Sequence, residues 1–162
     1  MATKLIHTEI DGLKELISEP YKDGRGEFLN LFKINDQNYS QIWGDRKVCQ
    51  INKSITLKKG TIRGLHLQKS PHQEFKIIRC IKGKVWDVGI DLRKNSKTYL
   101  KWHAIKLDPL NNNAIIIPEG CAHGFQTLED DSELVYIHSK NWIPEYEFGI
   151  RFDDPKLKIP WP

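Results

Sequence analysis

An all-β fold, a sandwich or barrel formed by one domain over residues 1–162, is what this sequence predicts, and three observations carry that reading. Short runs rich in β-branched and aromatic residues recur at close, even spacing, turn residues bound each of them, and helical patterns of ten or more residues are scarce. Taken in order, the segment up to Gln37 reads as an arm, followed by turns near residues 37–42. Strand runs then cover 47–55, 75–80, 84–92, 98–107, 114–118 and 134–138. Between the second and third runs, Ile81-Lys82-Gly83-Lys84 reads as a tight hairpin, because its glycine supplies the positive φ such a turn needs. A turn at 109–112 continues into Asn111-Asn112-Asn113, where Asn tolerates the left-handed region, and feeds the apolar strand Ala114-Ile115-Ile116-Ile117. The last stretch, 143–162, is Pro-rich and irregular, yet it carries Tyr146, Phe148, Phe152 and Trp161. Such a tail has to pack on its own barrel or on a partner chain.

A chain of 162 residues buries enough surface to fold without a metal or disulfide staple. Its 39% hydrophobic and 28% charged residues are ordinary for a globular domain, and no apolar run approaches the roughly 20 residues of a membrane span. The start, Met1-Ala2-Thr3-Lys4-Leu5-Ile6-His7, turns polar at once, and Cys49, Cys80 and Cys121 are odd in number without metal-type spacing. A reducing cytoplasm is the expected home, and no membrane partner is expected. The net charge of +4 favours an anionic partner. Nucleic acid is disfavoured, because the basic residues are scattered and no nucleic-acid-binding motif is visible.

Two segments carry candidate chemistry. Gly60-Thr61-Ile62-Arg63-Gly64-Leu65-His66-Leu67-Gln68 and Pro118-Glu119-Gly120-Cys121-Ala122-His123 each put a turn before a histidine, and together they resemble the two half-motifs of the cupins. Metal-binding cupins need three or four converging ligands. Gln68 stands where a second histidine would, and Glu74 is offset from the acidic position. Only His66 and His123 match, so no metal is expected. A histidine inside a barrel is a natural general base, its ordinary pKa lying near 6.5, and the plainer alternative is a hydrogen-bonded core histidine. Arg63 and His66 share a strand face only if a bend or bulge intervenes.

Further motifs make the resemblance more specific. Gly24-Arg25-Gly26-Glu27-Phe28, Gln50-x-Asn52, the Arg63 to Gln68 segment, Lys76, Asp87-Val88-Gly89-Ile90-Asp91-Leu92-Arg93, Ile117 to Phe125 and Ile159-Pro160-Trp161-Pro162 follow one another as in the dTDP-4-dehydrorhamnose 3,5-epimerase family. The likeness runs from about Ile10 to the end. It implies a cupin-type jelly roll and a cofactor-free reaction on a nucleotide-diphosphate sugar, in which protons α to a C4 ketone are removed at C3, C5 or both and returned on the other face. By that resemblance His66 is the base, Tyr136 the acid, and Lys76 with Arg63 stabilises the enolate. It further implies that Arg25, Phe28, Gln50, Asn52, Arg63, His123 and Trp142 bind substrate, with the strand of Arg25 and Phe28 exchanged between the subunits of a homodimer. From the residues alone, Arg25 reads equally as a surface arginine after a turn, and alternation allows Lys76 either face.

The chain also departs from the family. The family continues past Trp-Pro into a Leu-Ser-x-Lys-Asp segment whose Asp orients the catalytic histidine, whereas this sequence ends at Pro162. Asp87 is the candidate substitute. Asn141-Trp142 stands where two adjacent aromatics are usual, and Asn30 replaces a Glu of the arm motif, so both changes fall at the nucleotide end. Two other readings stay open: a keto-sugar isomerase moving the carbonyl between C3 and C4, and a nucleotide-sugar-binding cupin without turnover.

Overall fold

The computed structural model describes residues 3–34 and 37–162. Met1, Ala2, Asn35 and Asp36, all within the segment read as an arm, lie outside the described residues. In chain order the elements are β1 (Thr3–His7), β2 (Lys14–Ser18), β3 (Tyr21–Asp23), β4 (Gly26–Phe28), helix α1 (Gln37–Trp43), β5 (Gln50–Thr56), β6 (Ile62–Gln68) and β7 (Lys76–Lys82). After these come β8 (Val85–Asp91), β9 (Trp102–Leu107), β10 (Asn113–Ile117), β11 (Cys121–Thr127), β12 (Ser132–His138) and β13 (Glu147–Gly149).

Two antiparallel sheets face each other. One has the order β1-β2-β10-β7-β12-β5 and the other β13-β6-β11-β8-β9, while β3 and β4 form a separate ribbon. The expected all-β jelly-roll barrel is what these residues build. Its interior is a core to which both sheets contribute: Ile78, Ile115, Ile117 and Leu134 from the first meet Val85, Leu107, Cys121 and Phe125 from the second. Burying each such aliphatic side chain contributes about 1.5–3 kcal/mol.

The outer faces are covered too, which explains why strands of this chain lack clean alternation. Ile77, Ala114 and Ile116 turn away from the interior and pack under Tyr39, Ile42 and Trp43 of α1. Strand β10 is therefore buried on both faces and reads as a continuous apolar run. Arg79, also buried on this outer side, donates to Ser18 Oγ, Tyr39 Oη and the Asn112 carbonyl. The tail packs on its own barrel, with Leu157, Ile159 and Trp161 lying over Val88, Ile90 and Trp86 of the second sheet.

Three sequence expectations are corrected. The arm is only partly an arm, since β1 pairs with β2 and β2 with β10, so its first half extends the main sheet. The segment 98–107 splits into turns and β9. Gly83 has the expected positive φ of 73°, but β7 and β8 do not pair: β7 lies between β10 and β12, and β8 between β11 and β9. The turn is a corner that carries the chain from one sheet to the other. By contrast, Asn112 adopts the expected left-handed conformation (φ 50°) ahead of β10.

Candidate active site

One mouth of the barrel opens into a cavity of about 500 Å³ lined by β5, β6, β7, β11 and β12, a volume suited to a small-molecule ligand. Alternation sets which side chains reach it. On β12, Tyr136 and His138 face inward, and on the neighbouring edge strand β5 the set is Gln50, Asn52 and Ser54. On β7, Lys76 lies inward with Ile78 and is 2% exposed, which resolves the question of its face.

Arg63 and His66 both line the cavity although three residues apart. The bulge that this requires is present: the β6–β11 register shifts between His123 and Phe125. Gly64 sits in it with φ 109°, where a Cβ would come within 2.6 Å of Gly124 Cα and the His123 carbonyl oxygen. Only a glycine fits a backbone so placed.

The two candidate proton-transfer groups stand on different walls, His66 on the second sheet and Tyr136 on the first. The His123 ring lies 6.3 Å from that of His66 and 6.2 Å from that of Tyr136, centroid to centroid. Burial, followed by the Lys76 charge and His123, pushes the His66 pKa down to about 4. This is well below the near-neutral base the sequence suggests, and it keeps the imidazole unprotonated. Burial pushes the Tyr136 phenol up to about 12, against the opposing hydrogen bond with Ser54 Oγ at 3.0 Å. Environments that drive two titratable groups apart in this way separate a base from an acid.

Asp87 does not serve His66. Its two carboxylate oxygens both accept from His123 Nε2 at 2.9 Å, and the pair is almost fully buried. The reason is register: Asp87 on β8 lies opposite Phe125 on β11, one step diagonal from His123. Among the described residues no carboxylate is hydrogen-bonded to His66, and His123 Nδ1 is buried without a partner. Nor do three His, Cys, Asp or Glu side chains converge in a metal-like group among the described residues. Gln68, at the cupin metal-ligand position, instead clamps the loop after β12, donating to the His72 and Asn141 carbonyls and accepting from Ile143 N.

Sequence reasoning missed a second polar cluster. Lys76 Nζ pairs with Glu74 Oε1 at 2.9 Å, and His138 Nδ1 lies 2.8 Å from Glu74 Oε2. Burial alone would raise the Glu74 pKa, but the His138 hydrogen bond and the Lys76 charge outweigh it and bring it to about 2. The signal was the two-residue period itself, which puts His138 beside Tyr136 and Ser54 beside Asn52.

At the rim, Arg63 is exposed and donates to the Ile55 carbonyl at 3.3 Å. Trp142 is 53% exposed, its indole N–H held by Glu147 and its backbone N–H by Gln50. Arg25 and Phe28 are not in the cavity of their own chain. They belong to the exposed β3–β4 ribbon, where Arg25 pairs with Asp23 at 2.8 Å. Asn30 likewise lies away from the cavity, beside Ser18 and Tyr39.

Fold and site together define a cupin-type barrel whose cavity is lined by His66, Tyr136, basic side chains and amides. The chain belongs to the dTDP-4-dehydrorhamnose 3,5-epimerase family, whose model matches residues 7–162, and that places it among isomerases acting on nucleotide-linked sugars. A dTDP-4-dehydrorhamnose 3,5-epimerase of Shigella flexneri is 40% identical over 98% of this chain and 86% of its own. One of Methanothermobacter thermautotrophicus is 38% identical over 98% and 84%. A dTDP-4-dehydrorhamnose 3-epimerase of Streptomyces niveus is 35% identical over 94% and 73%. Among solved structures, a dTDP-6-deoxy-D-glucose-3,5-epimerase of Legionella pneumophila in complex with dTDP-4-keto-L-rhamnose superposes with a TM-score of 0.92 at 34% identity, covering 99% of this chain and 84% of that one.

Proposed function

We propose that this chain epimerises a dTDP-linked 4-keto-6-deoxyhexose at C3, or at C3 and C5, by proton abstraction and return. The observation that carries the reading is the opposition of His66 and Tyr136 across one cavity, with the imidazole held unprotonated and the phenol held protonated. In this reading His66 takes the α-proton. The electron pair moves into the C4 carbonyl to give an enolate, and Tyr136 delivers a proton to the opposite face of the same carbon. Lys76, reinforced by Arg63, meets the enolate oxygen; a fixed donor aimed at such a charge is typically worth about 3 kcal/mol.

His123, oriented by Asp87, lines the cavity and contacts the sugar through its ring. Gln50 and Asn52 meet the diphosphate, and Trp142 offers a half-exposed ring to the base. Arg25 and Phe28 reach the cavity of a second copy. The exposed outer side of edge strand β5, with Ile51 at 64% and nearby Leu57 at 68%, supplies apolar surface for that dimer to cover. The homologous enzymes' names and the ligand in the Legionella pneumophila structure support the choice of substrate.

The test is incubation with dTDP-4-keto-6-deoxyglucose in deuterium oxide, followed by NMR. Deuterium enters C3 or C5 with the wild type and not with His66→Asn. An unlabelled sugar after prolonged incubation with the wild type rejects the proposal.

A further inference from the structure

The cluster around Glu74 has a directional logic that the proton-transfer scheme does not use. Six groups follow one another from the rim to the cavity floor. Trp142 N–H donates to Gln50 Oε1 at 2.9 Å, Gln50 Nε2 donates to Asn52 Oδ1 at 2.9 Å, and Asn52 Nδ2 lies 3.5 Å from His138 Nε2. His138 Nδ1 then meets Glu74 Oε2 at 2.8 Å, and Glu74 Oε1 accepts from Lys76 Nζ at 2.9 Å. Trp142 N–H and Glu74, which bracket Gln50, Asn52 and His138, have no choice of role. A backbone N–H can only donate, and an ionised carboxylate can only accept.

Everything between is therefore polarised one way. Glu74 requires the proton on His138 Nδ1, which leaves Nε2 as an acceptor for the Asn52 amide N–H. Asn52 must then turn its oxygen to Gln50, and Gln50 its oxygen to Trp142. Both amide oxygens are occupied, and among the described residues each amide nitrogen keeps one N–H without a partner while its side chain lines the cavity. A wall with spare donors and occupied acceptors suits an anion.

We propose that Glu74 and His138 are positioning residues for the diphosphate of the nucleotide sugar: the carboxylate fixes the His138 tautomer and, through it, the direction in which the Asn52 and Gln50 carboxamides face the ligand. The inference rests on the substrate reading above and adds to it two residues that touch no reacting atom. Glu74→Gln is nearly isosteric but can donate as well as accept, so it releases the chain from its single direction.

The test has two parts, neither needing turnover. In wild-type protein labelled with ¹⁵N-histidine, the His138 resonances, assigned by their loss in His138→Asn, show a protonated Nδ1 and an unprotonated Nε2. The reverse tautomer overturns the proposal. By calorimetry, Glu74→Gln weakens dTDP binding about tenfold, the worth of one hydrogen bond to a charged group, while binding of thymidine, which has no phosphate, changes less than about twofold. Equal loss for both ligands marks a merely structural residue and overturns the proposal, as does undiminished dTDP affinity. Failure of the wild type to bind dTDP sinks the substrate reading and this inference together, whereas a wild type that binds no better than Glu74→Gln sinks the inference alone.

Discussion

Replacing Tyr136 by Phe removes one hydroxyl from the cavity and leaves its aromatic packing in place. The ring still lies against His138 (centroids 6.0 Å apart, 21° between planes) and edge-on to His123. Among the described residues the one hydrogen bond lost is that to Ser54 at 3.0 Å, and Ser54 is partly exposed, so water replaces the partner. The stability cost is therefore about 1 kcal/mol, or a Tm lower by roughly 2–4 °C. Catalysis should suffer far more, since a positioned general acid contributes about 10²–10⁴-fold, equivalent to roughly 3–5 kcal/mol of barrier. The two halves of the reaction should also separate. His66 still removes the α-proton, but the enolate regains a proton only from the His66 side, so deuterium enters without inversion. NMR in deuterium oxide measures both: label incorporation persists, while the epimer forms at least about a hundredfold more slowly than with the wild type. Epimer formation within about threefold of the wild type, or label and epimer lost in equal proportion, would refute the assignment of Tyr136 as the opposing acid.

Three further outcomes follow from the same geometry. The pH profile of kcat/KM should stay level from about pH 6 to pH 9. The His66 pKa is lowered to about 4, so the base form is lost only as the pH falls towards that value, and the Tyr136 proton is kept until about pH 12. An acid limb near 6.5, where an ordinary imidazole titrates, would contradict the burial argument. Gly64→Ala puts a Cβ within 2.6 Å of two backbone atoms at a φ of 109°, so it should cost at least about 1–3 kcal/mol in chemical denaturation and displace His66. An unchanged midpoint would show that the bulge is not tight. Asp87→Asn removes the charge that both His123 contacts use and should destabilise by about 1–3 kcal/mol, a Tm loss of roughly 2–12 °C. A melting temperature equal to that of the wild type would count against the buried pair.

What was legible in the sequence, and what was not, divides along physical lines. Strand runs such as 84–92 and 114–118 were readable because β-branched residues crowd together wherever a strand is buried on both faces. Strands β6 and β11 are less apolar and contain Gly64 and Gly124, yet their histidine motifs still marked them as functional. Gly83 announced a turn, but positive φ says nothing of whether the strands it joins will pair, and here they part into opposite sheets. The beginning of the chain looked like an arm because β1 and β2 are short, and β10, the strand that joins β2 to the main sheet, lies about a hundred residues downstream, beyond the reach of local patterning.

Side-chain roles show the same limit. His66, Tyr136 and Lys76 were found through motifs and prove to line one cavity. Asp87 was read as a partner for His66 because it is a carboxylate on a barrel strand, but β11 separates β8 from β6, and only the register reveals His123 as its mate. The pairing of Glu74, which the sequence suggests only as an offset metal ligand, with His138 was hidden because their meaning depends on each other: β7 and β12 must pair before a carboxylate at one strand's start faces an imidazole at the other's end.

The account's central claim is that a keto-sugar sits between His66 and Tyr136, and a crystal structure with a dTDP-hexose bound tests it most directly. The expected result is a pyranose ring inside the barrel mouth, with the imidazole and the phenol on its two opposite faces and Lys76 directed at the C4 substituent. A sugar lying outside the cavity, or both side chains on the same face of the ring, would contradict the claim.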